Sequence, residues 1–432
     1  MDLLRKTLQK NPLLIKAAAA LHRSGEIPPD TYVLDLDTII SNASKGLAEA
    51  NRVGIKEYMC TKQFGRNPVV VDGLLRAGFE KAIGMDIEGI KNLHRQGVPI
   101  GHVGHFGQIP TSELEFVLDE VRPDVFTVYS IERARQISHL AGKLGIKQKL
   151  LVKVVADPRT ERPATGGGMS EDEAFAMAKE LQKLDNVQVV GATSYPATAF
   201  SIIHKTHQLS ANFKAMMRVI DRMHRELGIE IEQVNAPGRN CVATMAIVAN
   251  GGGTHVEPGH SFLGTLPSMA FELDSAEIPA ATYVTEISHY FGGHAIAFGD
   301  SFMATATMGS LRNDIDTEYI YAVIGDDPDK ILDQGLVLAE PQQFWHDDLG
   351  WSMYASLMPD RTQKANVGDT VVYGFRPQIY RTPKGRTAVV AGIQRNAPKL
   401  VGIFDRAGVM LDRRTDDPVG YNHEQVRTLL KT

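Results

Sequence analysis

Lys62 stands in the run Tyr58-Met59-Cys60-Thr61-Lys62-Gln63-Phe64-Gly65-Arg66-Asn67, at the end of the second strand-like segment of the chain. If the strands close into a barrel, a lysine there points into the mouth. A partly desolvated amine in such a place can lose its proton and form a Schiff base with an aldehyde cofactor. An isolated strand-end lysine is more often a solvated loop residue, so the weight comes from its surroundings. His105 and Gln108 fall at the end of the fourth segment, on the same face, where they could touch cofactor or substrate. A lone histidine is as often a satisfied structural residue. Ser194 and Tyr195 end the seventh segment and are weaker candidates of the same kind. Gly166-Gly167-Gly168 reads as a flexible loop over the mouth and not as a phosphate loop, because no Lys-Ser/Thr follows it.

Metal chemistry has little support. The two cysteines, Cys60 and Cys241, have no CxxC partner, which argues against a cysteine zinc site and fits a reducing cytoplasm. His289, His294 and Asp300 could hold a metal in principle, but their spacing on a turn-rich segment defines no ligand geometry.

The elements that must position these residues alternate. Strand-like runs at 32–37, 58–62, 81–85, 100–105, 124–129, 149–155, 187–193 and 230–235 are separated by helix-length segments. Eight strands with intervening helices predict a closed (β/α)8 barrel whose functional residues sit at the C-terminal strand ends. An open doubly wound sheet is the rival, but no GxGxxG follows the first strand. Beyond residue 236 the alternation stops. Runs at 281–287, 319–324, 370–380 and 387–394 are rich in β-branched and aromatic residues and predict a second, mostly β domain at 237–432, with the barrel at 31–236 and residues 1–30 packing on the second domain.

The chain of 432 residues, 43% hydrophobic and 22% charged, has the composition of a soluble two-domain protein. A net charge of -5 gives no electrostatic reason to expect nucleic acid or an anionic membrane as partner. The apolar stretch at 13–21 is interrupted by Lys16 and followed by charge, so it predicts a docking helix and not a secretory signal. A cytoplasmic location is expected.

A barrel whose second strand ends in Thr61-Lys62, followed by a β domain, resembles the alanine racemase-type (fold-type III) pyridoxal phosphate (PLP) enzymes, which include basic amino acid decarboxylases. Tyr32-Val33-Leu34-Asp35-Leu36-Asp37 looks like that family's first strand. The runs Gly104-His105-Phe106-Gly107-Gln108-Ile109-Pro110, Asn235-Ala236-Pro237 and Thr254-His255-Val256-Glu257-Pro258-Gly259-His260 are closer still to its YhfX-like branch. The resemblance covers nearly the whole chain and implies PLP as cofactor, with Lys62 as its Schiff-base lysine. Gly238, Arg239 and Asn240, in the turn after the eighth predicted strand, offer backbone N–H groups and side-chain donors to a phosphate dianion. Glu257 stands where alanine racemases carry an arginine against the pyridine nitrogen and where decarboxylases carry a carboxylate, which favours pyridinium. Gly259 and His260 would add contacts near the phosphate.

The resemblance implies a small-molecule amino acid substrate and chemistry at its α-carbon. The leading expectation is an amino acid racemase or epimerase with Lys62 as one base and His105 as a further catalytic candidate. Alanine racemases take a second base, a tyrosine, from the partner subunit, so a homodimer is expected; Tyr354, His346 and Tyr373 are possible sources of that base. A decarboxylase or aldolase-type lyase is the alternative, favoured by Glu257. A PLP-binding homeostasis protein is remoter, since those are typically the barrel alone. Metal-dependent D-serine dehydratases and D-threonine aldolases of this fold carry a His-x-Cys-like pair in a late strand, where this chain has Gln378 and Tyr380, so no catalytic metal is expected.

Overall fold

The computed structural model describes residues 3–160, 167–201, 203–271, 275–299, 320–339, 353–358, 365–382 and 385–420. They form two compact units, one of residues 44–61 and 78–259, the other of 1–43, 62–77 and 260–432.

The first unit is the barrel. Its parallel strands, in order of pairing, are Lys56–Met59, Lys81–Gly84, Ile100–Val103, Val125–Val128, Gln148–Lys153, Val187–Thr193, Gln233–Asn235 and His255–Val256, the last closing onto the first. Helices cover the outside and carry local stop and start signals. Ser130 accepts a hydrogen bond from the Arg133 N–H at the head of Ile131–Leu144, and Gly145, at φ 67, ends that helix in the left-handed region. The barrel interior is filled by side chains. A Cβ on Gly101 would lie 2.0 Å from the Tyr58 ring, so only glycine leaves the tyrosine its space. Register places Lys153 and Asn235 beside Thr193 on the two neighbouring strands, so these three polar residues share one level at the C-terminal rim.

The strand expected to open the barrel does not belong to it. Thr31–Asp35 pairs antiparallel with Ala281–Phe291 and parallel with Arg386–Ala391, in the sheet of the other unit. The barrel takes its eighth strand from His255–Val256, so it runs past residue 236 and the units part at 259/260. The physical reason is pairing. A fully buried five-residue run can be completed by any sheet that offers it edges, and its partners lie some 250 and 350 residues downstream.

The second unit is a ten-stranded, mostly antiparallel sheet. Six of its strands close on themselves, in the order Ala281–Phe291, His294–Phe298, Tyr354–Met358, Val337–Ala339, Ile320–Gly325 and Thr370–Gly374. Closure removes exposed strand edges. Helices Leu3–Lys10 and Pro12–Arg23 share its core, where Leu4, Leu14 and Ile15 pack with Val284, Val323 and Val372. Helix Pro68–Ala77 also belongs to this unit, and Asn67 Oδ1 accepts from Val69 N at its start.

Candidate active site

The barrel rim carries a continuous polar network. Glu257 follows the strand His255–Val256 and is buried. Its Oε1 lies 2.6 Å from His102 Nδ1 and accepts a hydrogen bond from Asn235 Nδ2 at 2.8 Å. His102, fully buried on Ile100–Val103, has its Nε2 2.6 Å from the Thr127 hydroxyl. Asn235 also donates to Thr193 Oγ1 at 3.0 Å, and that hydroxyl lies 3.2 Å from His105 Nδ1. So the expected pair Glu257 and His105 are linked through two residues, Asn235 and Thr193.

His105 is pinned at its backbone too. The Tyr129 hydroxyl and Lys153 Nζ both donate to its carbonyl oxygen, the latter at 3.3 Å. Lys153 is buried at the end of Gln148–Lys153, over the Phe106 ring, with 5.0 Å from Nζ to the centroid. Burial pushes the Tyr129 phenol up to about 12, with the Gly167 backbone acting the other way, so Tyr129 keeps its proton as a donor. Of the glycine loop, Gly167 packs against Tyr129 and Gly168 against Val155, while Gly166 lies outside the described residues. Gln108 ties this segment down by donating to the Gly104 and Thr127 carbonyls. Tyr195 packs on Phe106, centroids 4.6 Å apart, and Ser194 is fully buried.

The turn at Gly238 is built for close approach. A Cβ there would meet Pro196 at 2.9 Å, and φ is 109°. Asn240 is engaged within the protein, its Oδ1 accepting from Gly238 N and Glu257 N and its Nδ2 donating to the Ala236 carbonyl. It therefore shapes the turn and fixes the backbone of Glu257. Arg239 beside it is half-buried, and burial lowers its pKa. Helix Val242–Asn250 begins directly after.

The Lys62 group belongs to the other unit. Lys62 opens the short helix Lys62–Phe64, whose Phe64 is fully buried, and its Nζ lies 5.6 Å from the centroid of Tyr380. Arg66, with φ 54 and almost completely buried, faces the same ring at 5.9 Å. His260 is buried, with Nδ1 3.1 Å from Thr265 Oγ1 and Nε2 2.9 Å from Gln378 Nε2. Burial first, then the charges of Arg376 and Lys62, hold His260 well below the usual histidine range. It is therefore neutral, and with the Gln378 amide donating to Nε2 its proton sits on Nδ1, toward Thr265. Both ring nitrogens are thus engaged within the protein. Gly259, immediately before it, is the last residue of the barrel unit.

Other expected candidates lie apart. Tyr373 is fully buried in Thr370–Gly374, and burial raises its pKa, so it is poorly suited to take a proton. Tyr354, an exposed residue, meets the His289 ring edge-on and the Phe298 ring at a tilt. His346 and Asp300 lie outside the described residues. Among the described residues no three His, Cys, Asp or Glu side chains come together as a metal-binding group.

Missing from the sequence reading were His102, Thr127, Thr193, Tyr129 and Lys153. The one available signal was polarity at strand positions that the barrel buries.

An eight-stranded parallel barrel together with a mostly antiparallel β domain is the architecture of the alanine racemase fold. Residues 34–267 match the family model of the alanine racemase N-terminal domain. Across 93% of its length the chain is 30% identical, over 405 residues, to the Escherichia coli (strain K12) protein YhfX, covering 97% of that protein. Solved structures of similar fold include D-threonine aldolase from Filomicrobium marinum, at TM-score 0.63 and 15% identity over 89% of this chain and 96% of that one. D-threo-3-hydroxyaspartate dehydratase from Delftia sp. HT23 gives 0.64 and 14% over 86% and 96%. Alanine racemase from Clostridium difficile 630 gives 0.56 and 17% over 88% and 98%. The chain belongs to the alanine racemase-like family, whose members bind pyridoxal phosphate.

The residues present fit that group. Both protein donors to Glu257 go to Oε1, and among the described residues no donor reaches Oε2, which leaves an acceptor for a protonated ring nitrogen. Separately, Ser194 Oγ and Asn235 Oδ1 are buried atoms with no hydrogen-bond partner among the described residues. Buried polar atoms in this state call for a ligand or water.

Proposed function

We propose that this chain is a PLP-dependent amino acid racemase or epimerase, working by removal and return of the α-proton. The observation that carries the reading is Glu257, a buried carboxylate held through one oxygen with the other open. Bound PLP supplies an electron sink for a carbanion at the α-carbon. Lys62 Nζ would hold the cofactor aldehyde and would carry a proton to or from the substrate α-carbon. Glu257 Oε2 holds the ring nitrogen in its protonated form through a charge-assisted hydrogen bond. The N–H groups of the Gly238 turn and Arg239 bind the phosphate, with Asn240 keeping the turn in shape. His105 is the second proton carrier; its carbonyl is pinned by Tyr129 and Lys153, and its Nδ1 contacts Thr193. Gly259 would complete the phosphate side, and His260, with both ring nitrogens taken by Thr265 and Gln378, would support it from behind without donating to the phosphate.

A lyase, either decarboxylase or aldolase-type, is the second reading, because the same Glu257 electronics serve cleavage as well as proton transfer. We also propose a homodimer acting on a free amino acid in the cytoplasm. Among the described residues no helix is long and apolar enough to cross a membrane.

The test is a panel of amino acids incubated with holoenzyme in heavy water, followed by mass and chiral analysis. Racemisation predicts deuterium at the α-carbon together with inversion. Carbon dioxide or an aldehyde product without inversion would overturn the racemase and favour the lyase. Light scattering should give the mass of two chains, and a fully active monomer would contradict the dimer.

A further inference from the structure

Glu257 receives both of its side-chain hydrogen bonds on the same oxygen, from His102 and Asn235. His102 is the less expected partner. It lies on Ile100–Val103, across the barrel from the Glu257 segment, and no part of either side chain is appreciably exposed. Its ring is fixed at both ends, by Glu257 at 2.6 Å from Nδ1 and by the Thr127 hydroxyl at 2.6 Å from Nε2. Asn235 Nδ2 is 3.3 Å from the same Nδ1. That amide has two hydrogens, and Glu257 at 2.8 Å and Thr193 at 3.0 Å already take them, so the Nδ1 hydrogen belongs to His102 and points at the carboxylate.

A buried carboxylate costs several kcal/mol unless donors satisfy its charge, and a carboxyl group free to rotate can present either oxygen. An imidazole clamped between a hydroxyl and one carboxylate oxygen removes that freedom. It decides which oxygen faces outward. A histidine present only to fill the barrel would need packing at this position and no particular donor atom.

We propose that His102 is a positioning residue, whose Nδ1–H holds the Glu257 carboxyl group oriented so that Oε2 is presented to the cofactor ring nitrogen. The proposal rests on the functional reading above only in what Oε2 meets; the clamp itself belongs to the protein alone.

Three substitutions separate donor from volume. Asparagine places an amide nitrogen near the site of Nδ1, glutamine places one near Nε2, and leucine places none. In the apoprotein, the His102 Nδ1 proton should resonate far downfield in NMR spectra and move upfield in Glu257→Ala. With PLP added, His102→Asn should bind within about threefold of wild type and keep the visible absorption band of the bound cofactor. His102→Gln and His102→Leu should bind at least tenfold more weakly, with that band displaced, the scale expected for loss of a hydrogen bond to a charged group. Equal effects from all three substitutions, or a stronger defect in His102→Asn than in His102→Gln, would overturn the proposal. So would an apoprotein Nδ1 resonance indifferent to Glu257→Ala. Failure of wild-type protein to bind PLP at all, with the apoprotein resonance behaving as described, would instead strike the functional reading and leave the clamp standing.

Discussion

The barrel rim and the Lys62 group handle buried charge in opposite ways. At the rim a carboxylate, Glu257, accepts on one oxygen from Asn235 on the adjacent strand and from His102 across the barrel, and each partner is fixed in turn by another polar side chain. In the other unit two cations, Lys62 and Arg66, both lie over the face of Tyr380, and neutral His260 is paired with Gln378. A strand network fixes atoms to a few tenths of an ångström and suits a group that must stay ionised in one orientation. An aromatic face attracts a cation without fixing its hydrogens, at about 0.5–2 kcal/mol. It suits an amine that has to change bonding partners. The difference suits the two tasks proposed for these residues, holding a proton at the ring nitrogen and binding an aldehyde.

Breaking the rim should have the largest effect. Glu257→Gln keeps the volume and loses the charge, and the rate of α-proton exchange should fall roughly a hundredfold or more while PLP still binds. A near wild-type rate would make the carboxylate structural and remove the contrast between the regions. Tyr380→Leu, on the other side, should weaken PLP retention only about two- to fivefold, as expected for loss of a cation–π contact. A hundredfold loss measured by dialysis would mean that the phenol hydroxyl, and not the ring face, does the work.

Glu57 sharpens the comparison by lacking either solution. Both of its oxygens are buried with no hydrogen-bond partner among the described residues, and burial pushes its carboxyl up to about 8. A carboxyl raised on folding gives stability that is complete below its unfolded value, near 4.5, and is lost as pH rises toward 8. Glu57→Gln should therefore stabilise the protein by a few kcal/mol above pH 8 and change little below pH 5, read from thermal unfolding. A stabilisation equal at both pH values would show that the carboxyl is ionised or solvated throughout.

Much of this was legible in the sequence, and the limits have physical causes. Lys62 and His105 could be picked as candidates from their strand-end positions, and Glu257 from the family resemblance of its run. The barrel was visible because strand and helix periods alternate. Which strand fills which place was not, since Thr31–Asp35 is as apolar as a barrel strand and His255–Val256 is two residues long. His102 and Thr193 escaped notice because a polar residue in an apolar run does not reveal whether it faces a barrel interior or solvent. Gln378 and Tyr380 were read as standing where metal-dependent enzymes of this fold carry ligands; folding puts Gln378 on His260 and Tyr380 beside Lys62.

The central claim is that Lys62 carries the cofactor. Borohydride reduction of holoprotein, followed by peptide mapping, tests it most directly. The account predicts a single phosphopyridoxyl adduct on Lys62, absent from Lys62→Ala, with buried Lys153 unmodified in both. An adduct on Lys153 or any other lysine of wild-type protein would contradict it.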